Sequence, residues 1–97
     1  MSCTVLLEIQ VKEECIEQIQ TGFKEMLPDT RSYDGCLDIY IAQDKDKPTT
    51  FVAVERWESR EKYEKYLAWR TERGDLDAIG AMLTAEPSIR YFDPKDA

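Results

Sequence analysis

Cys36-Leu37-Asp38-Ile39-Tyr40-Ile41-Ala42-Gln43, then Asp44-Lys45-Asp46-Lys47-Pro48, then Thr49-Thr50-Phe51-Val52-Ala53-Val54-Glu55-Arg56-Trp57: this run decides the fold. Its first part alternates, with Leu37, Ile39 and Ile41 on one face and Cys36, Tyr40 and Ala42 making the other face semi-apolar. That period of two predicts a strand. The charged connector has the length of a hairpin loop. The last part alternates again, Val52 and Val54 pointing one way and Phe51, Ala53 and Trp57 the other. Two antiparallel strands result, and neither has a wholly polar face.

Upstream, Cys3 to Val11 reads as a further strand, with Val5, Leu7, Ile9 and Val11 on one side and Leu6 breaking the polarity of the other. Lys12 to Leu27 changes to helical period. Ile16, Ile19, Phe23 and Leu27 share a stripe, Cys15 and Met26 flank it, and Gln20 sits at its edge. Pro28 lacks a backbone donor and is expected to end or kink the helix, with room for a further turn beyond it. Asp34-Gly35 marks a stop and a turn.

Downstream, Ser59 is the expected N-cap of a second helix, with Glu61 in its first turn. Tyr63, Tyr66, Leu67 and Arg70 fall on one face of that helix. Gly74 interrupts it. Asp75 is expected to cap a short helix carrying Leu76, Ile79, Met82 and Leu83, and Ile89 to Phe92 forms a last strand. The order βαββαβ is the ferredoxin-like α+β pattern, with an antiparallel sheet and helices on one side. The whole chain, 1–97, makes one domain, with 93–97 a polar tail. Because the helices cover one face only, the apolar residues on the second face predict a homodimer through the sheet.

Composition removes several classes. With 20 acidic against 13 basic residues and a net charge of −7, nucleic acid and anionic membrane surfaces are not expected partners. No apolar run is long enough to span a bilayer. Met1-Ser2-Cys3-Thr4 has no basic region of a signal peptide. Cys3, Cys15 and Cys36 are an odd set with no CxxC spacing, which points to reduced thiols and a cytoplasmic protein. Histidine is absent, which removes Ser-His-Asp and Cys-His nucleophiles, HExxH zinc sites and proximal-His haem ligation. Acid–base chemistry is left to carboxylates, tyrosines, lysines and cysteines. The Asp-x-Asp spacing of the charged connector makes no metal site.

The run Glu55-Arg56-Trp57-Glu58-Ser59-Arg60-Glu61 resembles the strand-to-helix junction of the antibiotic biosynthesis monooxygenase superfamily, E-x-W-x-[ST]-x-E. Asp29 to Cys36, with Gly35 before Cys36, is similar to the exit of that family's first helix, and Tyr66-Leu67 falls where many members have His-Leu. The resemblance covers roughly Leu6 to Phe92. It implies a dimeric α+β barrel with a pocket between helices and sheet. It also implies oxidation of a phenol or quinol by molecular oxygen without metal or flavin, the substrate supplying the electrons. The haem-degrading branch needs an axial His that this chain lacks.

Under that resemblance the candidate site has Tyr66 as hydrogen-bond partner and proton acceptor and Arg70 as anion stabiliser. Trp57, Tyr63 and Phe23 would wall the substrate, and Arg31 would stand at the pocket mouth. No cofactor and no metal are implied. Each residue has a competing structural role: core packing for the aromatic residues, a salt bridge for Arg70, a cap of helix-end carbonyls for Arg31. Arg56 alternates away from Trp57 and faces elsewhere. Glu8 and Glu55 lie inside strands, as exposed or interface acids, or as bases of raised pKa if buried. The expected function is a cofactor-independent monooxygenase of a small aromatic. The rivals are a non-catalytic dimeric ligand-binding module and an interaction protein acting through its sheet.

Overall fold

The computed structural model describes residues 2–97. Four strands, β1 (Cys3–Gln10), β2 (Cys36–Gln43), β3 (Thr50–Trp57) and β4 (Ser88–Phe92), form one antiparallel sheet in the order β2-β3-β1-β4. Three helices, α1 (Ile16–Ser32), α2 (Arg60–Arg73) and α3 (Asp75–Gly80), complete the ferredoxin-like α+β fold, and a 3-10 turn at Glu13–Cys15 leads into α1. No helix among the described residues is long and apolar enough to cross a membrane.

Strand alternation assigns the two faces. On the helix-covered side, register aligns Ile39, Glu55, Val5 and Tyr91 in one cross-strand row and Ile41, Ala53, Leu7 and Ile89 in the next. Burial on this side splits into two clusters. One gathers Ile9, Val11, Ile19, Phe23, Phe51 and Leu83; the other gathers Cys3, Val5, Trp57, Tyr63 and Tyr66. On the open side, Tyr40, Val54, Leu6 and Arg90 align in one row and Ala42, Val52 and Glu8 in the next. There Tyr40 is 54% exposed and Phe92 42%, while Leu6, Val52 and Val54 are only half-buried. The second apolar face read from the sequence is therefore present and uncovered by any helix of its own chain.

Three local expectations are corrected. α1 neither ends nor breaks at Pro28 but runs on to Ser32. Pro28 and Lys24 both lie on the exposed side, where the carbonyl that the ring leaves without its helical donor is open to solvation in place of the lost bond. The continuation carries Thr30 inward, to 1% exposure. In β2 the register shifts between Cys36 and Asp38, a β-bulge that sets both Cys36 and Ile39 opposite inward residues of β3, Trp57 and Glu55. Leu37 is the residue displaced by the bulge; it is 44% exposed and does not share the face of Ile39. Finally, Asp75 does not cap α3. Gly74, at φ 83°, occupies the N-cap position with no side-chain bond, and the Asp75 carboxylate is taken by Arg70 and Arg73 instead.

Candidate functional site

The site begins at the turn between α1 and β2. Gly35 has φ 94°, a left-handed conformation that glycine tolerates. A Cβ there would also lie 2.6 Å from Lys62 Cβ, so α2 packs directly on this turn. Lys62 Nζ binds Asp34 at 2.6 Å, and its backbone N–H donates to Ser59 Oγ at 3.2 Å, the expected N-cap. So anchored, α2 turns Tyr63, Tyr66 and Arg70 inward, each at most 7% exposed.

Trp57, 0% exposed, lies beneath these rings. Its ring centroid is 5.5 Å from Tyr63 and 5.0 Å from Tyr66. Its indole Nε1–H donates to Glu55 Oε1 at 3.0 Å, both residues lying on the inner face of β3 by alternation. Arg56, next to Trp57, faces outward to Asp38 at 3.2 Å.

A partly enclosed apolar cavity of about 50 Å³ lies between the sheet and the helices. The sheet supplies Leu7 and Ala53, α1 supplies Phe23 and Met26, and α3 supplies Leu76 and Ile79. Its polar lining residues are Thr30, Glu55, Tyr63 and Tyr66. The volume suffices for a few waters. A groove of about 150 Å³ between α1 and α3 shares Phe23, Met26 and Ile79 with the cavity, so those side chains partition the two.

One wall is a continuous hydrogen-bond network. Arg70, 2% exposed, donates through Nε to Tyr66 Oη at 2.9 Å and through Nη1 to Asp75 at 2.8 Å. Its Nη2 donates to Met26 O and to Thr30 Oγ1, each at 3.1 Å. Thr30 Oγ1 and Tyr66 Oη share a further bond of 2.7 Å. Burial raises the Tyr66 phenol above its ordinary pKa against the opposing bonds from Thr30 and Arg70, so at neutral pH it is a donor. Tyr63 is raised as well, by burial first and then by the charge of Glu55. Burial pushes Glu55 up to about 7, against the Trp57 bond, and Cys36 up to about 11.

Of the residues singled out from sequence, Phe23, Tyr63 and Tyr66 border the cavity together. Arg70 stands behind Tyr66 with its fork occupied. Trp57 lies behind Tyr63 and Tyr66 and is not among the cavity-lining residues; it packs on those two rings and on Tyr33 and donates to Glu55. Arg31 lies outside the cavity, on an outer groove with Tyr40, its Nη2 donating to Ile39 O at 3.3 Å. Glu8 is on the open face and accepts from Gln10. Thr30, Leu76 and Ile79 were not foreseen as lining residues. Thr30 follows Phe23 by seven residues, so an unbroken helix would have revealed it.

The antibiotic biosynthesis monooxygenase family model matches residues 2–71. No curated protein matches the sequence. Among solved structures, a conserved protein from Methanosarcina mazei Go1 superposes with TM-score 0.89 at 19% identity, over 98% of this chain and 94% of that one. Rv0793 from Mycobacterium tuberculosis gives 0.87 at 18% identity, over 100% and 98%. SnoaB, a cofactor-independent oxygenase from Streptomyces nogalater, gives 0.83 at 16% identity, over 99% and 95%. At such identities these likenesses speak for the fold. The family match spans most of the chain and includes the Glu55-to-Glu61 junction, and the chain belongs to the antibiotic biosynthesis monooxygenase family.

Proposed function

We infer that the chain is a cytoplasmic, dimeric, cofactor-independent monooxygenase acting on a small phenolic or quinol-like aromatic. The observation that carries this reading is the cavity itself. It is apolar and partly enclosed, and Thr30, Glu55, Tyr63 and Tyr66 are the polar residues of its lining, a composition that suits an aromatic ring bearing oxygen substituents once the wall opens to admit it. Family membership and the likeness to an oxygenase named as cofactor-independent support the reaction class.

On an anthrone-type substrate the ring-flanked CH2 loses a proton, and the carbanion gives its electrons to oxygen. The peroxide then loses water to leave a carbonyl, one oxygen atom entering the product and the other leaving as water. The protein's part is to favour the anion and keep it dry. Tyr66 donates to the substrate oxygen. Its proton is free to turn because Thr30, now donating to Met26 O or Tyr66, can supply the Tyr66 oxygen in its place, while Arg70 continues to satisfy Met26 O. Arg70 polarises Tyr66 and holds it in position. Phe23 and Tyr63 flank the ring. The half-covered sheet face of Leu6, Tyr40, Val52 and Val54 pairs with its copy in a second chain. A whole ring exceeds the cavity, so binding displaces Ile79 of α3 toward the adjoining groove that it also lines.

Oxygen uptake by metal-free protein, measured on anthrones, hydroquinones and catechols and corrected for autoxidation, tests the reading. Protein-dependent uptake that survives chelator supports it. Binding without uptake across the panel supports instead a non-catalytic ligand-binding dimer, the reading favoured by how fully Arg70 is engaged within its own wall.

A further inference from the structure

Two residues of the cavity lining, Glu55 and Tyr63, each carry an oxygen with no hydrogen-bond partner among the described residues. Glu55 is 2% exposed and lies in a sheet row between Val5 and Ile39, where the neighbours offer no compensating charge. Its Oε1 accepts from Trp57, but no hydrogen bond among the described residues reaches its Oε2, and no lysine or arginine among them pairs with it. Tyr63 is 1% exposed, and its hydroxyl also has no partner among the described residues. Yet no side-chain oxygen of the described residues is both sealed from solvent and unbonded, so these two atoms retain open surface. Both residues line the cavity. A buried carboxylate with an unused oxygen is costly unless something fills it.

We propose that Glu55 is the ligand-binding carboxylate of this site: its Oε2 receives the O–H of a phenolic ligand, with Tyr63 Oη donating to a second oxygen of the same ring, and in turnover it takes the substrate's proton. This rests on the reading of the cavity as a site for phenolic rings but not on oxygen consumption. In turnover the substrate O–H or C–H bond breaks, its electron pair stays on the substrate, and the proton resides on Glu55 Oε2. The proton returns to the terminal peroxide oxygen; the O–O bond then breaks as the oxidised carbon gives up its second hydrogen, and that oxygen leaves with both as water. Trp57 is a positioning residue, since its bond to Oε1 orients the carboxylate and leaves Oε2 without a partner among the described residues. Titration near neutrality, with Glu55 at about 7, makes the group usable in both directions. The titratable groups that feel its charge are Cys36 on β2 and Tyr63 and Tyr66 on α2. All three are raised and stay protonated through neutrality, while β1 presents Val5 and α1 presents Thr30.

The test uses 4-methylphenol, whose own hydroxyl stays protonated at neutral pH, and p-xylene as its shape control. A charge-assisted bond to a carboxylate is about twice as strong as a neutral one. Affinity of the wild-type protein for 4-methylphenol is therefore expected to rise by roughly tenfold between about pH 6 and about pH 8. The Glu55→Gln variant keeps an acceptor for Trp57 and should show no rise, and p-xylene should show none with either protein. Trp57→Phe removes the donor that lowers the Glu55 pKa, so the midpoint of the rise should move upward. A wild-type affinity that is flat or falls with pH overturns the assignment. So does a rise that persists in Glu55→Gln, or a failure of 4-methylphenol to bind. Oxygen uptake separates the two readings. The pH signature without any uptake upholds Glu55 and removes the oxygenase, whereas uptake undiminished in Glu55→Gln upholds the oxygenase and removes Glu55.

Discussion

Arg70 Nε–H donates to Tyr66 Oη at 2.9 Å across one turn of α2, and the same guanidinium reaches α1 through Thr30 and Met26 and α3 through Asp75. One cation thus ties three helices around one side of the cavity. The arrangement suits arginine, whose planar fork serves several acceptors at once, and not lysine.

Removing that fork should cost stability and turnover together. Arg70→Ala removes four hydrogen bonds and empties the buried space of the side chain, and is expected to lower unfolding free energy by about 3 kcal/mol in urea. Tyr66→Phe leaves one buried donor unpaired and should cost about 1–2 kcal/mol. If Tyr66 donates to the reacting oxygen, its loss should reduce turnover by roughly 100-fold, with the dimer intact by sedimentation. Unchanged turnover in a folded Tyr66→Phe protein removes Tyr66 from the chemistry.

Glu55 sets a pH dependence of stability whose sign is fixed. Its pKa rises from 4.5 to about 7 on folding, so between those values the folded chain holds a proton that the unfolded chain has lost. Its contribution is full below about 4.5, declines as pH rises through about 7, and is then constant. The loss across this window is about 3 kcal/mol. Urea unfolding of wild type and Glu55→Gln on both sides of the window should show that slope in the first protein and not in the second.

The open sheet face predicts an oligomeric state. Val54 sits at the centre of the outer row, between Tyr40 and Leu6. Val54→Lys places a charge there, and sedimentation velocity should show a monomer with an unchanged circular dichroism spectrum. A dimer that survives this substitution uses another surface.

Pro28 is tolerated in α1 without being optimal. Pro28→Ala restores a backbone donor toward Lys24 on the exposed side and should stabilise the chain by about 1–2 kcal/mol, read as a higher melting temperature. A lower melting temperature would mean that the ring's restriction of the unfolded chain outweighs the missing bond.

Local pattern was enough for the strands, the two long helices, the Ser59 cap and the inward face of Tyr63, Tyr66 and Arg70, because alternation and helical period depend only on near neighbours. The same alternation already placed Glu55 beside Trp57 and Arg56 on the opposite face. Tertiary structure decided the rest. Whether Pro28 breaks a helix depends on whether its orphaned carbonyl meets water, and that depends on which side of α1 faces the core. Whether Cys36 points inward depends on one bulge against β3. Trp57 became the support of the tyrosines and not a cavity wall because α2 lies across it. Arg70 acquired its four bonds from α1, α2 and α3, whose approach no spacing along the chain encodes. Glu55 is the clearest division: its face was set by the period of the strand, but its burial without a cation, and hence its chemistry, came only from what the helices brought over it.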